Sequence, residues 1–229
     1  MRSLGVIPAR GGSKSIPDKN IAILDGLPLI AYTIQAASNS KLTNTIVSTD
    51  SDKIASVAND YNGDVIMRPE YLSTDITPTL PVLRHAYNEL NEEDYDIVVT
   101  LQPTSPLRTH KHINEALELF SSDSSADSLV SVKKIPHNYS PISIMKISEN
   151  GYLDNYLDQE SIILRKQDKP NYFARNSAIS ITRPKDLKNF VFGGNIIPYL
   201  MDSISSIDID YEEDICFAEA LLAIIKQKN

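Results

Sequence analysis

A chain of 229 residues is long enough for one large domain or one and a half ordinary ones, and 41% hydrophobic with 23% charged residues is an ordinary globular balance. A net charge of −8 argues against general nucleic-acid binding, where a basic face supplies the affinity. An anionic ligand would have to be drawn in by a local basic patch. The single cysteine excludes an internal disulfide, and no apolar run approaches membrane-spanning length. Arg2 is followed at once by an apolar strand rather than a signal-peptide pattern, so the expectation is a cytoplasmic protein without a membrane or nucleic-acid partner.

The first element, Leu4 to Ile7, reads as a buried strand. It runs into a loop holding Gly11, Gly12 and Ser13 between Arg10 and Lys14, closed by Lys19 and Asn20. Adjacent glycines let the backbone turn its N–H groups inward. Three cations in one short loop repel each other unless something anionic sits among them, and a polyphosphate suits both the N–H groups and the cationic heads. A surface turn with solvated charges is the plainer alternative. Neither G-x-x-x-x-G-K-[ST] nor G-x-G-x-x-G is present, which disfavours a P-loop kinase and a dehydrogenase.

Ile21 to Leu24 is a short extended piece, Asp25-Gly26 a turn, and Pro28 the first residue of a helix carrying Leu29, Ile30, Ile34 and Ala37. Asn44 to Thr49 reads as a second strand, with Asp50 as N-cap of a helix over Ser51 to Tyr61, and Asp64 to Met67 as a third strand. The rhythm of strand, helix and strand implies a parallel sheet covered by helices. After Arg68-Pro69 and the Thr77-Pro78-Thr79 turn, a helix is expected from about Pro81 to Leu90, for which Thr79 is a candidate N-cap. Ile97 to Gln102 is a fourth apolar strand leading into Pro103-Thr-Ser-Pro-Leu-Arg108, and open α/β sheets bind ligands at such carboxyl ends. Arg108 could serve a carboxylate or phosphate, or form an ion pair with nearby acids.

Asn114 to Phe120 lies on a helix that begins near His110 and His112, a pair better suited to capping or solvation than to metal binding. Ser128 to Val132 is a fifth strand. From Lys133 to about Phe190 the rhythm is lost, and the expected strands Ile142 to Ile147 and Ala178 to Ile181 need another surface to bury against. In Ser206-Ile-Asp-Ile-Asp210, a strand conformation would project Asp208 and Asp210 side by side, a pair able to hold Mg²⁺ or Mn²⁺. Alternatively Asp210 and Glu213 form a capping box for the helix Tyr211 to Ile225, leaving Asp208 solvated. Spacing alone does not choose. Cys216 falls in an apolar helical pattern and is expected in the core.

The stretch Ile7-Pro-Ala-Arg-Gly-Gly-Ser-Lys, with Ile16-Pro17 and Lys19-Asn20, resembles the nucleotide-binding signature of the acylneuraminate cytidylyltransferases. Arg68-Pro69 with Leu72 and Asp75, the run Leu101 to Arg108, and Ser206 to Asp210 resemble further motifs of that family over nearly the whole chain. The resemblance implies an α/β, doubly wound, mostly parallel Rossmann-like sheet in a single domain, residues 1–229. Residues 133–190 would be an insertion packing against a second subunit in a homodimer and closing its site; the plainer alternative is a local excursion folded onto its own domain. The implied reaction joins CTP to a nine-carbon 2-keto sugar acid, giving the CMP-sugar and pyrophosphate.

The same resemblance implies that Arg10, Gly11, Gly12, Ser13, Lys19 and Asn20 bind the triphosphate, and that Arg68 and Thr79 read the cytosine. Gln102, Thr104 and Ser105 would face the sugar, with Arg165 or Arg175 on its carboxylate and Phe192 in the pocket. Asp208 and Asp210 would hold Mg²⁺, which decides between the two readings of that pair. Arg10, Lys19, Asn20 and Asp210 would carry the chemistry, with Asp210 or a metal-bound hydroxide as the base, a choice the sequence does not make. The chain departs from the family's N-G-A-I-Y at Ser177 and Ser180, which bears on the sugar rather than on the nucleotide; Phe173 and Phe192 are candidates to fill the missing aromatic's space. A cytidylyltransferase for the eight-carbon acid Kdo and a catalytically silent nucleotide-binding module are the competing readings.

Overall fold

In a computed structural model of the chain, residues 1–90, 95–157 and 170–228 are described. The continuous apolar runs become the centre of a seven-stranded sheet. Its strands are β1 (Ser3–Pro8), β4 (Asn44–Thr49), β5 (Asp64–Met67), β6 (Ile97–Thr100), β7 (Ser128–Lys134), β10 (Phe173–Thr182) and β11 (Ile196–Met201). The order is β11-β7-β10-β6-β1-β4-β5, and only β10 runs antiparallel to its neighbours. β2 (Ile23–Leu24) and β3 (Leu27–Pro28) form a small hairpin, as do β8 (Met145–Ile147) and β9 (Leu153–Asn155).

From β1 the chain winds outward to β4 and β5, then returns to β6 on the other side of β1. That reversal opens a crevice at the carboxyl ends of β1 and β6, where the loops after both strands meet. Two apolar layers clamp the sheet. On one face α1 (Leu29–Ser38), α2 (Asp52–Asp60) and α4 (His110–Ser122) bury Ile30, Ile34, Ile54, Ile113 and Phe120 against Ile7, Val47 and Val99. On the other, α3 (Thr79–Glu89) buries Leu83, Ala86 and Tyr87 against Leu4, Val6, Ile46 and Val98. A third cluster joins Ile16 of the first loop to Leu24, Leu29, Ile209 and Ala218 of α5 (Glu212–Lys228). At roughly 25 cal/mol per Å² of apolar surface removed from water, this burial is what holds the tail beside the head of the chain.

Several local expectations change. Ser51, not Asp50, caps α2, accepting from the Ile54 N–H at 3.4 Å. Pro28 ends β3 and occupies the N-cap position of α1 rather than its first turn. Pro78 caps α3, so Thr79 is its first helical residue. His112 caps α4 as expected, accepting from the Thr109 N–H at 3.1 Å. Cys216 is exposed, because α5 packs through Ile215, Ala218 and Leu222 only.

The segment 133–190 is not set apart from the sheet as a whole. β10 lies inside it, between β6 and β7, and Ile179 and Ile181 are core residues. Among the described residues, the expected strand 142–147 narrows to β8, which pairs with β9 outside the main sheet, and every residue of these two strands is exposed. β11 was not anticipated; its burial alternates and Pro198 interrupts its pattern.

Candidate active site

The loop after β1 is built by its neighbours rather than by its glycines alone. A Cβ on Gly11 would meet the Ser51 Cβ at 3.2 Å, and the Gly11 N–H donates to Asp50 Oδ1 at 3.0 Å. Gly12 has φ +66°, the left-handed region a glycine enters without cost. Asn20 is buried and its amide donates to the Arg10 carbonyl at 2.9 Å, tying the far end of the loop to its start. The anions among the loop's cations are carboxylates of the chain itself. Arg10 Nη1 lies 2.5 Å from Asp75 Oδ1, Lys14 Nζ 2.7 Å from Asp75 Oδ2, and Lys19 Nζ 3.1 Å from Asp210 Oδ1. Both cations hold Asp75 below the usual carboxylate range, Lys14 most strongly.

The loop and the tail meet. Lys19 Nζ also donates to the Ile209 carbonyl at 2.8 Å, and the Ile209 N–H donates to the Thr104 carbonyl at 2.8 Å in the loop after β6. Residues 206–210 are not a strand, so Asp208 and Asp210 are not aligned by sheet pleating. Asp208 is held instead by the hydroxyls of Thr104 and Ser177. Burial is the main cause that raises its pKa, with the Asp210 charge adding to it, while the two hydroxyls and Lys19 pull it down. Its Oδ1 is buried without a partner. The capping box of Asp210 with Glu213 is not formed. Asp214 reaches back instead, its Oδ2 accepting from the N–H groups of Asp210 and Tyr211 at 2.8 Å each, which leaves the Asp210 carboxylate free for Lys19.

Two cavities share a wall. One, of about 360 Å³, is lined by Arg10, Ser13, Lys14, Lys19, Asn20, Arg68, Thr79, Gln102 and Thr104. The other, of about 440 Å³, is lined by Thr79, Gln102, Arg175, Ser177, Ser180 and Phe192, among others. Thr79 and Gln102 belong to both, so the two are lobes of one cleft. Asp208 lines neither lobe itself but bonds to Thr104 in the wall of the first and to Ser177 in the wall of the second. In the second lobe the Arg175 guanidinium stacks over the Phe192 ring, 4.9 Å from its centroid. Phe173, at 51% exposure, lines neither lobe.

β10 bends to shape that second lobe. Its pairing with β7 shifts between Arg175 and Ser180, and Ser177 within the shift has φ +59°. Asn176, buried, stitches the irregularity. It accepts from the Ser131 hydroxyl at 2.5 Å and donates to Ser206 Oγ at 2.8 Å, two residues before Asp208.

Other expected residues have different surroundings. Arg68 is buried and spends its Nη groups on the carbonyls of Ser48 (3.1 Å) and Leu72 (3.4 Å), while its Nε lies 3.8 Å from Asp50. Burial lowers its pKa, Asp50 opposing and Arg10 adding. Ser105 is wholly buried and lines neither lobe. Arg108 serves neither an anionic ligand nor an ion pair. It is 1% exposed, and donates to the carbonyls of Gln102 and Ala178 at 3.0 Å each and to Thr33 Oγ1 at 2.6 Å. Burial lowers its pKa to about 9. Arg165 lies outside the described residues. Asp75, Lys14 and Asp50 were not singled out as site residues; their charges were visible in the sequence, but no spacing pairs residues 10 and 75.

Among the described residues no group of three or more His, Cys, Asp or Glu could hold a metal ion by itself. The chemistry of Asp208 and Asp210 nevertheless suits a hard divalent cation whose other positions go to phosphate oxygens and water. One has an unpartnered buried oxygen and the other an exposed carboxylate.

A family model described as Cytidylyltransferase matches residues 4–227. The chain is 36% identical to the CMP-N,N'-diacetyllegionaminic acid synthase of Legionella pneumophila subsp. pneumophila, over 98% of this chain and 97% of that protein. It is 34% identical to the N-acylneuraminate cytidylyltransferase of Escherichia coli O18:K1:H7, over 99% of this chain but 52% of that protein, so it spans about half the length of some curated relatives. A solved CMP:2-keto-3-deoxy-manno-octonic acid synthetase in complex with CTP has the same fold, with TM-score 0.75, 19% identity, and coverage of 97% of this chain and 99% of that one. The chain belongs to the cytidylyltransferase family, with acylneuraminate and legionaminate enzymes among its relatives.

Proposed function

We propose that the protein joins CTP to a nine-carbon 2-keto sugar acid, sialic acid or a bacterial relative such as legionaminic or pseudaminic acid. The products are the CMP-sugar and pyrophosphate. The observation that carries this reading is the two-lobed cleft: a cation-lined lobe suited to a triphosphate, joined at Thr79 and Gln102 to a lobe bearing Arg175. Arg10, Lys14 and Lys19 neutralise the phosphates, Ser13 offers them a hydroxyl, and Asn20 fixes the loop that presents them. Thr79 and Arg68 flank the base. Gln102 and Thr104 face the acceptor, and the Arg175 fork binds its carboxylate.

In the reaction the anomeric oxygen attacks the α-phosphorus, the bond to the pyrophosphate oxygen breaks, and the hydroxyl proton passes to a base. Attack on an anionic phosphorus requires mainly positioning and neutralisation of charge. Asp210, beside Lys19, is the candidate acceptor of that proton. Asp208 and Asp210 would hold Mg²⁺ or Mn²⁺, which when bound supplies charge neutralisation at phosphate oxygens. The exposed β8–β9 hairpin, with Ile147 at 77% and Leu153 at 63% exposure, supports a homodimer in which it packs on the second subunit. The protein would work in the cytoplasm, without nucleic-acid or membrane partners. No described helix is long and apolar enough to cross a membrane.

Pyrophosphate release from CTP with a panel of nonulosonic acids tests the reading. Turnover with at least one nine-carbon acid and little with Kdo is expected. Preference for Kdo would move the protein to the eight-carbon enzymes, whose fold it shares, and no release with any acceptor would leave a silent nucleotide-binding module.

A further inference from the structure

Two cations that line the phosphate lobe, Arg10 and Lys14, share one carboxylate. Asp75 binds Arg10 through one oxygen and Lys14 through the other, drawing together side chains four residues apart from a third segment 65 residues away. Asp75 sits on the turn between Leu72 and α3, beside Ile76 at 89% exposure. The side-chain bond nearest it in sequence is local, Thr74 Oγ1 to Thr77 Oγ1 at 2.7 Å. Ile76 is largely solvated, so its side chain does little to anchor the turn that carries the carboxylate. Both ion pairs are partly solvated, a setting in which each is worth little and can be exchanged.

We propose that Asp75 is an internal stand-in for phosphate, a positioning residue that holds Arg10 and Lys14 converged and is displaced by an incoming polyphosphate. This rests on reading the β1 loop as the triphosphate site. A polyphosphate offers several charges where Asp75 offers one, so exchange favours the ligand, while the carboxylate's return favours departure of the pyrophosphate product. Asp75 thereby weakens the resting affinity for polyphosphate and limits retention of product.

The test is calorimetric titration of inorganic pyrophosphate in metal-free buffer into the wild-type chain and the variants Asp75→Asn, Arg10→Ala and Asp18→Asn. Circular dichroism verifies folding of each. Asp18 belongs to the same loop but pairs with Lys53 at 3.3 Å, so it controls for the general loss of a negative charge. Asp75→Asn is expected to bind pyrophosphate about three- to tenfold more tightly, the range that release of two solvated ion pairs supports. Asp18→Asn should change binding less than about twofold, consistent with screening of exposed charges. Arg10→Ala should weaken it. Unchanged or weaker binding by Asp75→Asn, with Arg10→Ala still weakened, overturns the stand-in and leaves the phosphate site intact. Equal tightening by Asp18→Asn overturns it as well. If Arg10→Ala also binds normally, the loop is not the phosphate site and both readings fall.

Discussion

Lys19 and Asp210 are 191 positions apart in the chain, yet Nζ and Oδ1 lie 3.1 Å apart, with the Ile209 carbonyl accepting from the same ammonium at 2.8 Å. This contact closes the first loop against the tail, and it gives Lys19 a buried stem and a head aimed at the cleft. Replacing Lys19 by Ala should lower CTP turnover by on the order of 10²-fold, as loss of one charge-stabilising donor does, with circular dichroism unchanged. Full activity in Lys19→Ala would show that the ion pair is structural only.

Ser177 occupies the left-handed region at φ +59°, where the family pattern carries glycine. A side chain there costs of order 1 kcal/mol. Ser177→Gly should leave Tm unchanged or raise it, whereas Ser177→Val, β-branched, should lower it by several degrees. A marked loss of Tm in the glycine variant would mean that the Ser177 hydroxyl on Asp208 outweighs the strain it carries.

Arg108 ties the loop after β6 to α1 and β10 from within the core. Arg108→Ala removes donors from the Gln102 and Ala178 carbonyls and from Thr33 Oγ1 and opens a cavity, so a loss of about 3–5 kcal/mol is expected, read as a shift in urea midpoint at constant m-value. Arg108→Lys should not restore it, because one ammonium on a straight stem does not reproduce the planar fork.

Tyr32 donates to the Leu24 carbonyl at 2.7 Å, and burial, with Asp25 and Glu219 adding, pushes its pKa from 10.0 up to about 12. The unfolded chain therefore releases this proton first as pH rises. The stability from keeping Tyr32 neutral is complete below pH 10 and is lost as pH climbs toward 12. Tyr32→Phe should be less stable near neutrality, having lost the hydrogen bond, but should lose less between pH 10 and 12. Parallel alkaline stability curves for the two chains would contradict this.

The strands legible from sequence are short apolar runs bounded by turn residues, whether central like β1 or at the edge like β5. Asn44–Thr49 and Asp64–Met67 coincide with the observed elements, and Leu4 to Ile7 falls within β1. β11 was missed because its burial alternates and Pro198 breaks its pattern. β10 was assigned to an excursion because its pairing shifts between Arg175 and Ser180, so its core residues follow no single period. The cations of the cleft were visible as charges, but their partner Asp75 was not, since a contact over 65 residues leaves no local spacing. Ser105 and Arg108 sit in a motif beside the cleft, yet burial sends both side chains into the core.

The loop after β1 and the stretch through Asp208 and Asp210 are held to form one CTP site. The most direct measurement is the rate of pyrophosphate release from CTP, with the best nonulosonic acid, by the wild-type chain and by Asp208→Asn. The account predicts steady release by the wild type and a fall of at least about 10²-fold in the variant, with an unchanged circular dichroism spectrum. Equal rates in the two chains, with the same dependence on added Mg²⁺, would contradict it.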